Sequence, residues 1–208
     1  MKWPTGLEQR SFGGDEALAT RGPPVYGEPV VDGWRRWSRS RSKLAVMLER
    51  GLDIDLARDA TVLYLGASTG TTVSHVADIV DHVYAVEFAP RPAQRLVEVA
   101  SDRENVYPLL KDARRPERYA HVVESDIDLI IQDVATRGQA EVARKNRMFL
   151  AEDGQLVVAI KARSEDVTAT PTNVFEDVCH SLEEEYRIEE TVRLEPTHVD
   201  HMAVTARP

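Results

Sequence analysis

From residue 61 onward, short apolar runs recur along the chain: TVLYLG (61–66), HVYAVEF (82–88), NVYPLL (105–110), DLIIQDV (128–134) and QLVVAI (155–160). Each is bounded by polar residues and has the length and the β-branched, aromatic content of a strand buried on both faces. The segments between them change period. TTVSHVADIV places Val73, Val76, Ala77 and Val80 on one helical face, and RPAQRLVEVASDR, QAEVARKNRMFLAEDG and NVFEDVCHSLEEEY occupy the later gaps. Five alternations of strand and helix predict right-handed βαβ crossovers, hence a parallel sheet covered on both faces. YRIEETVRLEP and HMAVTARP then follow as two strands with no helix between them, so an antiparallel pair is expected to close one edge of a seven-stranded α/β sheet.

Upstream of the sheet, Leu44, Met47, Leu48 and Leu52 share a helical face, with Ser42 placed to cap the helix and Gly51 to end it. The first forty residues hold Gly13, Gly14, Gly22, Pro23, Pro24, Gly27, Pro29 and Gly33 between short β-like pieces, and read as a small, irregular lead-in. The expected organisation is a small N-terminal segment over 1–40 and the main domain over 41–208.

With 42% apolar residues in 208, the chain can fill one sizeable core. It has no run of about 18 apolar residues and no signal-peptide-like start, so no membrane association and a cytoplasmic setting are expected. A single cysteine, Cys179, and the lack of zinc-ligand spacing leave no reason to expect a metal. The balance of 26 basic against 35 acidic residues, net −9, argues against a generic nucleic-acid-binding surface and suits a salt-rich cytoplasm. Lysine occurs five times only, at Lys2, Lys43, Lys111, Lys145 and Lys161.

In a doubly wound sheet, ligands sit beyond the carboxyl ends of the strands, so the residue after each run carries the chemistry. After the first comes GASTGTT (66–72), a small-residue turn into a helix; it is not GxGxxG and fits a plain turn as well as a ligand loop. After the second stands Glu87, 17 residues beyond Gly70, near the offset at which an acidic side chain meets ribose hydroxyls. After the third comes KDAR, in which Asp112 can accept from an exocyclic amine or cap a helix, and Ala113 leaves room for a ring. Together they indicate an adenosine cofactor, with a nicotinamide dinucleotide and S-adenosylmethionine both compatible. The fourth run ends at Asp133 and the fifth at Lys161, adjacent strand tips about 5 Å apart. An ion pair that merely closes the strands accounts for those two, but not for Lys43 and His201 at other element starts.

RSKLAVML, YLGASTGTTVSHVADIV, VYAVEFAPR, LKDARRPERY, IIQDVA, AIKARSEDVT and LEPTHVDHMAV together resemble fibrillarin in its short archaeal form, from about Tyr26 to Arg207. The resemblance implies a Rossmann-like methyltransferase fold, S-adenosylmethionine as cofactor, and RNA-guided ribose 2′-O-methylation of rRNA and tRNA within a box C/D ribonucleoprotein. It implies a catalytic tetrad of Lys43, Asp133, Lys161 and His201. It also implies cofactor contacts at Gly66, Ala67, Thr71, Thr72, Glu87, Phe88, Asp112, Ala113 and Asp133. The implied partners are a box C/D guide RNA, the substrate rRNA or tRNA, a Nop-domain scaffold protein and a kink-turn-binding, ribosomal-type protein. Thr136 stands where the family commonly has glutamine. In that setting Lys161 meets the 2′-oxygen, Asp133 orients it, and Lys43 holds substrate or tunes Lys161. Arg35, Arg36, Arg39 and Arg41 then form a positive patch beside the site, unless they serve nearby carboxylates instead.

Overall fold

The computed structural model describes residues 3–208, so Lys2 lies outside the described residues. β5 (Thr61–Leu65), β6 (His82–Glu87), β7 (Val106–Leu110), β8 (Ile127–Gln132), β9 (Leu150–Lys161), β10 (Arg187–Arg193) and β11 (His201–Arg207) form one sheet in the order β10-β11-β9-β8-β5-β6-β7. Strands β5 to β9 pair in parallel; β11 runs antiparallel to both β9 and β10 and makes the expected edge. Pro108 sits in β7, at the opposite edge, where a missing backbone donor costs no ladder bond.

Alternation along the strands divides the core in two. Val62 and Tyr64 pack on one side with α1 (Lys43–Glu49), α2 (Thr71–Ala77) and Leu96 of α3 (Pro90–Ser101). Leu63 and Leu65 pack on the other, with α4 (Gln139–Asn146), Ala162 of α5 (Ala162–Glu165) and α6 (Pro171–Leu182). Two expectations are corrected. The lead-in contains β structure as expected but is not irregular: β1 (Leu7–Phe12), β2 (Asp15–Arg21), β3 (Val30–Val31) and β4 (Trp34–Arg36) form an antiparallel sheet in the order β1-β2-β4-β3. Leu7, Leu18 and Trp37 join the buried cluster that holds Val62 and Val73. Residues 150–154, read as the tail of a helix, instead begin the twelve-residue β9, because pairing of Ile127 with Leu150 draws them into the ladder.

The two readings left open for the arginines divide among them. Arg35 is fully buried, its guanidinium 2.7 Å from Asp78 and 3.1 Å from the Ser74 hydroxyl. The Thr20 hydroxyl donates to Asp78 at 2.6 Å, so the 2.8 Å contact with His75 has the imidazole Nδ1–H as donor. Burial dominates here: it raises the Asp78 pKa and lowers that of Arg35, each against the pull of its partner. Arg41 lies over the Tyr26 ring and Arg36 reaches toward Asp15 at 3.8 Å, but Arg39 and Arg41 stay exposed, so of this run only Arg35 is taken wholly into the fold.

Candidate active site

The ends of β5 and β8 meet so closely that one position must be glycine. Gly66 has φ +87°, and a Cβ there would lie 2.4 Å from the Asp133 carbonyl oxygen. The Asp133 amide donates to the Leu65 carbonyl at 2.8 Å, which fixes that residue just past the ladder. Its carboxylate then receives Lys43 Nζ at 2.8 and 2.9 Å, both side chains 22% exposed. Lys43 is brought there by α1. The cap Ser42 accepts from the Ala45 amide at 3.2 Å and from the Thr72 hydroxyl at 3.1 Å, tying α1 to the start of α2. Lys161 ends β9, and its side chain lines the same cleft as Lys43 and Asp133. Asp133 thus takes Lys43 as its partner, where the sequence suggested that it would orient Lys161.

His201 is paired with Lys161 in the β9–β11 register. Its Nδ1 stands 2.7 Å from the Val199 carbonyl, an acceptor only, so Nδ1 carries the proton. Burial lowers its pKa below the ordinary imidazole value; the Val199 bond opposes this, and the Lys43 and Lys161 charges add to it. The neutral ring then holds a buried Nε2 lone pair with no partner among the described residues. Gln139, which nothing in the sequence singled out, is fully buried behind Lys161. Its Oε1 accepts from the Lys161 amide at 2.9 Å, and its Nε2 donates to the Lys161 carbonyl at 3.1 Å and to Glu165 at 2.9 Å. Glu165 in turn accepts from the amides of Gly138 and Gln139, so the end of β9 is held through its backbone.

The other half of the cleft is lined by Gly66, Glu87, Phe88, Asp112 and Ala113; the whole cleft, lysine end included, encloses about 540 Å³, within the usual range for a small-molecule site. The Glu87 carboxylate accepts from the Ser68 and Ala89 amides, each at 2.7 Å, and so is aimed before any ligand arrives. Arg114 grips both Asp112 oxygens at 2.7 to 3.1 Å, and this contact holds the carboxyl below its usual pKa range. Phe88 is 65% exposed at the mouth, 5.9 Å from the Arg114 guanidinium. Ala67, Thr71, Thr72 and His201 do not line this space. Ala67 is buried and the Thr72 hydroxyl is engaged with Ser42. Among the described residues no three metal-ligating side chains gather, and no helix is long and apolar enough to cross a membrane.

Because the strand order is β9-β8-β5-β6-β7, the cleft reads Lys161, Asp133, Gly66, Glu87, Asp112 from one side to the other. Lys43, Asp133 and Lys161 occupy one end, and the carboxylates of Glu87 and Asp112, with Lys111 beside them, the other. With its antiparallel β11, this arrangement is that of the Rossmann-like methyltransferases. More narrowly, the fibrillarin family model matches residues 15–208, and the chain belongs to that family. A fibrillarin-like rRNA/tRNA 2′-O-methyltransferase of Halobacterium salinarum is 62% identical over 209 residues, covering 100% of both chains. Of solved structures, a fibrillarin/Nop5p complex superposes with TM-score 0.93 at 42% identity, over 100% of this chain and 99% of that one. Aeropyrum pernix fibrillarin with natively bound S-adenosyl-L-methionine gives TM-score 0.86 at 39% identity, over 97% and 94%.

Proposed function

We propose that this chain transfers the methyl group of S-adenosylmethionine to ribose 2′-hydroxyls of rRNA and tRNA, as the catalytic subunit of a guide-RNA-directed box C/D ribonucleoprotein. The observation that carries the reading is the convergence of Lys43, Asp133 and Lys161, far apart in the chain, at one end of a cleft whose other end presents Glu87 and Asp112. Glu87 and Asp112 are about four strand spacings or fewer from Lys161, a span of at most roughly 19 Å. An adenosine at one end and a reacting group at the other fit that span. The residues suit the cofactor: Gly66 clears the wall, Glu87 meets the ribose, and Asp112 and Ala113 meet the base. Ala67, Thr71 and Thr72 frame the turn below.

S-adenosylmethionine supplies a methyl on a sulfonium, whose sulfur leaves as a neutral thioether, so no acid is required on that side. The 2′-oxygen must lie about 3 to 3.5 Å from the methyl, in line with the breaking bond, and shed its proton as the C–O bond forms. Each acceptor in the cleft already has a partner: Asp133 has Lys43, Glu87 the loop amides, and Asp112 Arg114. Lys161 is thereby left to meet the substrate oxygen and to receive its proton or hold its developing charge. Asp133 offsets the Lys43 charge and places that ammonium beside the acceptor ribose. His201, a neutral imidazole outside the cleft lining, stands beside Lys161 in the β9–β11 ladder as its polar neighbour. A guide RNA supplies target choice, with a Nop-domain scaffold and a kink-turn-binding protein holding this acidic subunit on it.

Reconstitution with a guide RNA and the two protein partners should place methylation at the nucleotide specified by the guide. Replacing Lys161 by Ala is expected to cut the methylation rate by roughly 10²–10⁴-fold, the usual weight of a proton-transfer group, while equilibrium binding of labelled S-adenosylmethionine stays near wild type. Full activity in that variant would overturn the mechanism.

A further inference from the structure

Beside the cofactor cleft runs a second groove, of about 910 Å³, walled by the loop after β7 and by α4. Five cations line it, Lys111, Arg114, Arg115, Arg118 and Lys145, against two carboxylates, Asp112 and Glu117. That excess stands out in a chain of net −9. The run at residues 35–41 is thinner than expected, since Arg35 is buried on Asp78 and only Arg36, Arg39 and Arg41 reach the surface. Here the charges are available. Arg115 and Arg118 are exposed, and Arg118 meets Glu117 only at 3.9 Å with both side chains about two-thirds exposed. Lys145 pairs with Glu141, an exposed i,i+4 contact of the kind that water and salt easily replace.

We infer that this groove binds the phosphate backbone of RNA, extending the substrate path from Lys161 past the adenosine end of the cleft. The inference rests on the methyltransferase reading above. Continuity supports it, because Lys111, Asp112 and Arg114 line both the cleft and the groove. The separation also suits it: β7 and β9 are four strand spacings apart, roughly 19 Å, which a few nucleotides of a guide–target duplex span. The lining favours a polyanion over a protein partner. Its apolar members are Leu110 and Pro116, with no aromatic anchor of the sort that carries protein interfaces. Exposed, loosely paired arginines release counterions from phosphates and read no sequence, which suits a subunit whose targets are chosen by base pairing.

The test uses Arg115→Glu/Arg118→Glu, two exposed positions outside the cleft, with Lys145→Glu charging the facing wall as a second variant. In the reconstituted particle, KM for target RNA should rise about tenfold or more, and the log–log salt dependence of RNA binding should lose about one unit of slope per cation removed. Cofactor affinity, kcat at saturating RNA and co-elution with the scaffold protein should match wild type. Unchanged KM and salt slope would overturn the inference. Loss of co-elution with RNA affinity intact would overturn it too, by making the groove a protein-docking surface. Filter binding of labelled target RNA to the particle is read apart from methylation. A wild-type particle that fails to methylate the guided nucleotide therefore refutes the proposed reaction, while the binding contrast between wild type and variants still decides the groove.

Discussion

Lys161 owes its position to an amide. Gln139 closes a ring of hydrogen bonds on the Lys161 backbone and passes them to Glu165, so the lysine's side chain swings from a fixed root. Gln139→Leu keeps the volume and removes those bonds, leaving the Lys161 amide and carbonyl without their partner. A displacement of about 1 Å at the reacting group is enough to cost on the order of 10²-fold in rate. The expected outcome is a fall of that order in kcat with KM for the cofactor unchanged, since Glu87 and Asp112 lie across the sheet. Equal losses in cofactor affinity and kcat would point to a general collapse instead. Glutamine carries no motif at a helix start, and only burial against a strand tip gives it this task. Lys43, at a helix start, was picked out through the family resemblance, whereas Asp133 and Lys161 were legible because charges at the ends of apolar runs are costly without a reason. The partner of Asp133 was not, since sequence order does not say which of two lysines arrives first.

The N-terminal sheet is joined to α2 by a buried polar knot of Thr20, Arg35, His75, Asp78 and Arg103. His75, stacked on Trp37, has its pKa pushed well below the ordinary imidazole value, first by burial and then by Arg35 and Arg103. Above about pH 6.5 the ring is neutral both folded and unfolded; below it the unfolded chain takes up a proton that the folded chain refuses. Stability should therefore drop as pH falls, by up to about 1.4 kcal/mol per unit, until the folded ring also titrates. Urea midpoints from about pH 7 to about pH 5 should fall more steeply for wild type than for His75→Gln, which keeps a donor for Thr20. Parallel curves would exclude His75 as the source. We propose that residues 1–40 are a small segment built onto a methyltransferase domain of 41–208 and sealed by this knot. PVV was legible as a β-like piece and holds β3, but β1 and β2 were not, because DEALATR is rich in helix-favouring residues and LEQRSF alternates weakly; pairing of β1 with β2 overrides both. The parallel strands, apolar on both faces, were plain for the opposite reason.

Taken whole, the molecule carries 35 acidic and 26 basic residues, and most of that imbalance faces solvent. Repulsion among exposed carboxylates weakens as the Debye length shrinks from about 10 Å at 0.1 M salt to about 3 Å at 1 M. Thermal midpoints should accordingly rise with potassium chloride, whereas the buried Arg35–Asp78 contact, cut off from ions, should be indifferent to it. A midpoint flat across the salt series would remove the charge argument. One seam ties these scales together. At Gly66 the ends of β5 and β8 touch through backbone alone, with no room for a Cβ beside the Asp133 carbonyl. A side chain at 66 would have to pry those two strand ends apart, and the carboxylate that Lys43 grips would move with them.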